Sequence, residues 1–277
     1  MSTLPATQHL QLERSEELLT IWFNRPEARN AMSLEMLAEI EAVLAAIHDD
    51  RSIRTLVLRG RGGHFCAGGD IKDMARARQQ PPSEAEDAVV DYSRAFGRMI
   101  LAVNRAPQAV VGVLEGAVLG GGFGLACVTD VAIAHRDAKF GLPETGLGIT
   151  PAQIAPVVVQ RIGLTQARRL GVCGGRFDGA EARRLGLVHF LADDAGDIDD
   201  LVARVRHEVR RCAPQAVADT KALMLDCQQR SPEANIEEAA RVFALGIRSE
   251  EGQEGTRAFV EKRRPQWAEV GAGETQA

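Results

Sequence analysis

Two glycine-rich stretches can act through their backbone alone: Phe65-Cys66-Ala67-Gly68-Gly69-Asp70 and Leu119-Gly120-Gly121-Gly122-Phe123-Gly124. The first follows the apolar run Thr55–Leu58 and the second follows Ala109–Leu114, so each sits where a strand ends and a helix can begin. Backbone nearly free of side chains lets a ligand approach closely, and the first turn of a helix has N–H groups with no intrahelical partner. Two such N–H groups converging on one oxygen form an oxyanion hole, often the largest single electrostatic contribution to catalysis at a carbonyl. Taken alone, Gly68-Gly69 would read as a loop turn and the triple glycine as tight helix packing.

The elements that must position these segments follow from the hydrophobic pattern. His9–Arg14 and Leu18–Phe23 read as two strands around a Ser15-Glu16-Glu17 turn, and Asn24-Arg25-Pro26 breaks the second. Ser33 can cap a helix with an apolar stripe at Leu34, Leu37, Ile40, Leu44 and Ile47. Thr55–Leu58 reads as a short buried strand ending in Arg59-Gly60-Arg61-Gly62-Gly63, and Gln79–Glu86, with Pro81 and Pro82, as a mobile loop. A helix is expected over Asp87–Val103, and strands over Ala109–Leu114, Asp130–Ala134, Lys139–Leu142 and Leu187–Leu191. From Ala152 the pattern turns mostly helical. Asp178-Gly179-Ala180-Glu181 has capping-box spacing, and Ser231-Pro232 places a cap before a proline at the first helical position. Early alternation of strands and helices, then helices alone, points to an α/β core with a helical tail.

Composition narrows the classes. The 277 residues are 45% hydrophobic, enough for a substantial core, and the net charge of −5 supplies no general basic field for nucleic acid. Cys66, Cys127, Cys173, Cys212 and Cys227 include no C-x-x-C pair, which suggests free thiols in a reducing compartment. Met1–Gln8 lacks the basic start and apolar stretch of a signal peptide, and no apolar run approaches membrane-spanning length. A cytoplasmic protein with neither membrane nor nucleic acid as partner is the expectation. Gly120–Gly124 lacks the G-x-G-x-x-G spacing and the following acid of a dinucleotide site. His135-Arg136-Asp137 has no glycine-rich loop and strand lysine before it, as a kinase would require. Cys66 reads as a packed strand-end residue without a partner base, and His64 as a surface turn residue or part of a ligand groove.

Five segments in order resemble the enoyl-CoA hydratase/isomerase (crotonase) superfamily: Asn24–Ser33, Phe65–Ile71, Gly116–Asp130, Phe140-Gly141-Leu142-Pro143-Glu144, and Glu254-Gly255 with Ala258–Arg263. The resemblance implies a spiral of ββα units over residues 1–196 and a helical trimerisation region over 197–277. It also implies a homotrimer or dimer of trimers. The implied ligand is an acyl-CoA thioester, with no metal or redox nucleotide besides. The implied oxyanion donors are the N–H groups of Gly69 and Gly121, the latter at a helix N-terminus whose dipole favours negative charge. Ala67, Gly69, Asp70, Ile71 and Lys72 match the segment lining the bent CoA. Arg29 matches a position where a basic side chain approaches its phosphates, and Lys262 one that reaches a neighbouring subunit's CoA.

One departure bears on the reaction. Hydratases of this superfamily use two glutamates; here Glu144 matches one, and Gly124 stands at the position of the other. Hydration needs water activated at Cβ and a proton delivered to Cα, which Glu144 must then manage alone. A lone glutamate at this position is also what enoyl-CoA isomerases use. Leu147–Pro156 and Gly122–Cys127 resemble the isohexenylglutaconyl-CoA (γ-carboxygeranoyl-CoA) hydratase branch of acyclic terpene degradation, which implies a branched, carboxylated substrate. Gly124 would vacate space for such a chain. Gln153 would orient water, contact the extra carboxylate, or simply cap or pack the helix beginning at Ala152. The alternatives are a double-bond isomerase and a non-catalytic acyl-CoA- or RNA-binding relative.

Overall fold

The computed structural model describes residues 3–83 and 87–268. Its first half runs β1 (Leu10–Ser15), β2 (Leu18–Phe23), α1 (Leu34–Ile47), β3 (Thr55–Gly60), α2 (Ile71–Gln79), α3 (Ala88–Asn104), β4 (Ala109–Leu114), β5 (Ala117–Leu119) and α4 (Gly121–Cys127). The second half runs β6 (Val131–His135), β7 (Lys139–Gly141), α5 (Ala155–Cys173), β8 (Arg176–Phe177), α6 (Gly179–Arg184), β9 (Phe190–Ala192), α7 (Ala195–Arg210), α8 (Pro214–Asp226), α9 (Pro232–Arg248) and α10 (Glu250–Val260). The larger sheet has the order β1-β2-β3-β4-β6-β9, antiparallel at β1/β2 and parallel elsewhere. β4 is buried along its whole length, as a parallel strand covered on both faces should be. A smaller sheet, β5-β7-β8, packs against α4 through Phe123, Phe140 and Phe177, whose ring centroids lie 5.6–6.4 Å apart.

Several boundaries differ from the expectation. β3 continues through Gly60, pairing Trp22 with Arg59 and Phe23 with Gly60, and the largely covered Arg59 side chain is satisfied by Glu115 at 2.7 Å. The last strand is Phe190–Ala192 rather than Leu187–Leu191: the Leu187 and Val188 N–H groups bond to Ala182 O to close α6, and pairing with β6 starts only at His189. Helix α5 begins at Ala155 rather than Ala152. The caps stand as expected. Ser33, Asp178 and Ser231 accept from the N–H groups of Met36, Glu181 and Ala234. Glu181, however, turns its carboxylate to Arg184 and Arg169 instead of completing a capping box. The loop expected over Gln79–Glu86 begins at the last residue of α2, and residues 84–86 lie outside the described residues.

The boundary expected between 196 and 197 falls inside α7. This helix lays Ile198 and Val205 on Val57, Val111, Val113 and Ile133, covering the second face of the larger sheet. The layered core therefore extends through α7, and α8 is tied to it by Lys221, whose Nζ donates to Gln108 O at 3.2 Å and to Asp130 at 2.7 Å. Helix α9 has no buried residue at all, and Ile236, Phe243 and Ile247 make an exposed apolar stripe on it. Among the described residues, no helix is long and apolar enough to cross a membrane.

Candidate active site

The two glycine segments are pinned to each other by short-range pairing. The Cys66 N–H donates to Ala117 O (2.9 Å) and Leu119 N–H donates to Cys66 O (3.0 Å), which lays residues 65–68 along β5. On the other side, Met32 N–H donates to Gly68 O (2.8 Å) and Asp70 N–H donates to Met32 O (2.9 Å). In that parallel bridge the N–H of the intervening Gly69 must point away from Met32, and it makes no hydrogen bond among the described residues. Gly121 is the first residue of α4, so its N–H has no intrahelical acceptor and none elsewhere among the described residues. The two positions are neighbours: a Cβ on Gly68 (φ +110°) would lie 3.7 Å from Gly121 N. Successive turns of α3 cover both. A Cβ on Gly69 would meet the Tyr92 hydroxyl at 2.6 Å, and one on Gly121 would meet the Phe96 ring edge, so neither position tolerates a side chain.

Glu144 reaches this place by topology. β5 and β7 are parallel neighbours, and Gly120 N–H donates to Gly141 O at 3.0 Å, so the two strands end side by side. The chain leaves β7 through Leu142-Pro143 into a single 3-10 turn opened by Glu144. Its Oε1 lies 2.8 Å from where a Cβ on Gly120 would be, beside the open N–H of Gly121. Oε2 is buried and has no hydrogen-bond partner among the described residues. Burial pushes the carboxyl above the ordinary glutamate range, against a smaller opposing effect of its own backbone N–H. A carboxyl so placed can take up and return a proton beside an oxyanion held by two N–H donors.

The sequence profile of the enoyl-CoA hydratase/isomerase family matches residues 13–270. The chain belongs to this family. A relative named as a probable enoyl-CoA hydratase from Bacillus subtilis is 31% identical over 260 residues, 93% of this chain and 97% of that protein. The solved structure of Pseudomonas aeruginosa AtuE superposes with a TM-score of 0.91 at 57% identity, covering 95% of this chain and 100% of that one. An enoyl-CoA hydratase/isomerase from Marinobacter aquaeolei gives 0.91 at 53% identity, with 94% and 99% covered. The fold is thus the crotonase fold, and the protein is an enzyme of the hydratase/isomerase family with an acyl-CoA substrate.

The other residues expected at the site of this family member divide into two groups. Arg29, Ile71 and Lys72 are exposed. Arg29 is joined to the first glycine segment through its carbonyl, which accepts from Ala67 N–H at 3.0 Å, so a cation stands on the rim beside Ala67. The Asp70 carboxylate, in contrast, is not free to meet a ligand. One oxygen caps α2 by accepting from Lys72 N–H (2.8 Å), and the other accepts from Arg25 Nη2 (2.7 Å). Burial would raise this carboxyl, but the Arg25 hydrogen bond and the charges of Arg25 and Lys72 outweigh it and hold it below the ordinary range. Cys66 is buried, and desolvation pushes its thiol up to about 12, which rules out a thiolate nucleophile. His64 is not a surface turn residue: its Nδ1 accepts from Ala117 N–H at 3.0 Å and its carbonyl from the Asn30 amide at 2.6 Å, holding the start of β5.

Gly124 requires a correction. It leaves no open space, because Ile154 fills the volume: a Cβ on Gly124 would lie 2.1 Å from Ile154 Cγ2. Gln153 does not cap α5 either. Its Nε2 donates to Ser93 Oγ of α3 at 2.9 Å, and its Oε1 lies 2.4 Å from where a Cβ on Gly97 would be. Gly97 and Gly124 together admit the Gln153-Ile154 segment. Sequence reasoning missed Tyr92, Phe96 and Ile154. The spacing of Tyr92 and Phe96, one helical turn apart, was the available signal for a shared face.

Proposed function

We propose that this enzyme hydrates a branched, carboxylated enoyl-CoA thioester, with Gly69 and Gly121 as N–H donors to the thioester oxygen and Glu144 as the sole acid–base residue. The observation that carries the reading is the buried, unpartnered Oε2 of Glu144 beside two unbonded backbone N–H groups. The Glu144 carboxylate takes a proton from water as the water oxygen bonds to Cβ. The double-bond electrons move to Cα and the carbonyl, and the resulting enolate oxygen is held by the two N–H donors. Glu144 then gives the proton to Cα, the thioester carbonyl re-forms, and the net change is addition of one water. Arg29 and Lys72, exposed on the rim, serve the CoA phosphates, and no group besides CoA takes part.

The extra carboxylate of the acyl chain is assigned to Ser93 and the Gln153 amide, which bond to each other at 2.9 Å against the helix that carries Tyr92 and Phe96. A second reading, double-bond isomerisation, is favoured by Ile154 occupying the place where a second glutamate would reach from position 124. There Glu144 would take a proton from one carbon and return it two carbons away. Product masses across linear, branched and carboxylated enoyl-CoAs separate the two. A gain of one water, with the highest kcat/KM for a branched carboxylated chain, is expected. An unchanged mass establishes isomerisation, and a preference for short linear chains refutes the substrate class.

The exposed stripe of α9, with Phe259 of α10 at 85% exposure, is read as the contact between copies. Light scattering is expected to give three or six times the monomer mass, and a monomer at micromolar concentration would contradict this.

A further inference from the structure

Tyr92 is the one tyrosine in the chain, and among the described residues its hydroxyl, which lies near the Asp70 backbone, makes no well-formed hydrogen bond. The oxygen is buried without a partner among the described residues, although phenol oxygens are readily satisfied in protein interiors. It reaches this position from the first turns of α3, whose N-terminus is fixed by Asp87 accepting from the N–H groups of Val89 and Val90. One turn further along, Phe96 covers Gly121 with its ring edge, while Tyr92 covers Gly69 with its hydroxyl. The two glycines with open N–H groups are thus roofed by one purely apolar ring and one ring that ends in a donor. A phenylalanine would fill the same volume over Gly69 and leave nothing unsatisfied. The hydroxyl is therefore a departure from the best-packed choice, placed against the glycine whose open N–H is read as meeting a ligand oxygen.

We propose that the Tyr92 hydroxyl is a third hydrogen-bond donor to the thioester oxygen of the bound substrate, beside the N–H groups of Gly69 and Gly121. The proposal rests on the oxyanion reading given above and adds to it a donor that belongs to a side chain. The phenol stays neutral and able to donate, because burial, followed by the nearby Asp73 and Asp70 charges, raises its ionisation far above neutral pH, against a smaller opposing effect of the Asp70 backbone. With ligand bound, the oxygen that lacks a partner gains one, and the strongest interaction comes when charge develops on the thioester oxygen in the enolate.

The test uses Tyr92→Phe in the full-length protein with two readouts. In turnover, kcat is expected to fall about 10²-fold with little change in KM, the behaviour of a donor that acts mainly in the transition state. The thermal midpoint should not fall, since the lost hydroxyl makes no bond in the free protein. The second readout is the infrared carbonyl stretch of a saturated acyl-CoA carrying 13C at the thioester carbon, a ligand that does not react. Binding to the unaltered protein is expected to shift this band to lower frequency, and Tyr92→Phe to reverse part of the shift. Ultraviolet resonance Raman of the lone tyrosine should show its hydroxyl becoming a donor on binding. A shifted band that Tyr92→Phe leaves unchanged overturns the proposal, even if kcat falls. No shift in the unaltered protein refutes the oxyanion reading beneath it, so the two failures are distinct.

Discussion

Glu144→Gln is expected to lower kcat by ~10³–10⁴-fold while the affinity for acyl-CoA survives, since general acid–base catalysis contributes on this scale and no second carboxylate stands at position 124 to compensate. The same variant makes a stability prediction of opposite sense. Burial raises the folded-state pKa of Glu144 above its unfolded value. Between those two values the folded state binds more protons than the unfolded state, so stability falls as pH rises through that window. Above the folded pKa the full penalty of a buried charge persists. At neutral pH the neutral glutamine removes it, and the variant should be at least as thermostable as the parent. The acidic limb of kcat/KM reports the same group. It should lie above the ordinary carboxyl range, because Glu144 must be ionised to activate water. Retained turnover in Glu144→Gln, measured by steady-state kinetics, would remove Glu144 from the chemistry.

Gly122→Ala should separate the two glycine segments. A Cβ at this position would lie 2.4 Å from Cys66 O and 2.7 Å from Cys66 Cβ. Both atoms belong to the strand-like stretch that bonds to β5, so no flexible side chain can swing aside. Helix α4 must shift away from residues 65–68, carrying Gly121 with it and leaving Gly69 behind on Met32. A misplacement of ~1 Å costs about 10²-fold in rate for a site that works by positioning. Overpacking a buried position adds about 1–3 kcal/mol of destabilisation. The expected result is a kcat lowered by about 10²-fold in a protein that still folds, its lost stability read from the urea midpoint. Near-normal kcat would mean that the alignment of the two segments does not matter to catalysis.

The parts of this site that were legible in the sequence are those set by local backbone requirements. Gly68, Gly69 and Gly120–Gly122 mark themselves because bare backbone at a strand exit has few uses. Ser33, Asp178 and Ser231 mark helix starts through the same local chemistry. Glu144 could be placed by its motif, but its burial and its lack of a partner depend on β5 and β7 ending side by side, which no local pattern states. β5 and β8, with three and two residues, are too short to show a period. The filling of Gly124 by Ile154 and the seating of Gln153 on Gly97 are contacts between residues far apart in sequence. The periodicity of α3 shows that Phe96, Met99, Ile100 and Val103 are buried, yet says nothing about which turn faces Gly69. The state of the Asp70 carboxylate was not legible either. Its partner, Arg25, stands 45 residues earlier, and no local pattern joins the two.

The most direct measurement is the crystal structure of Glu144→Gln with a branched enoyl-CoA bound. The account predicts the thioester oxygen at ~2.7–3.1 Å from both Gly69 N and Gly121 N, with the residue 144 side chain facing Cα and Cβ of the acyl chain. A thioester oxygen bonded to neither N–H, or an acyl chain whose reacting carbons face away from residue 144, would contradict it.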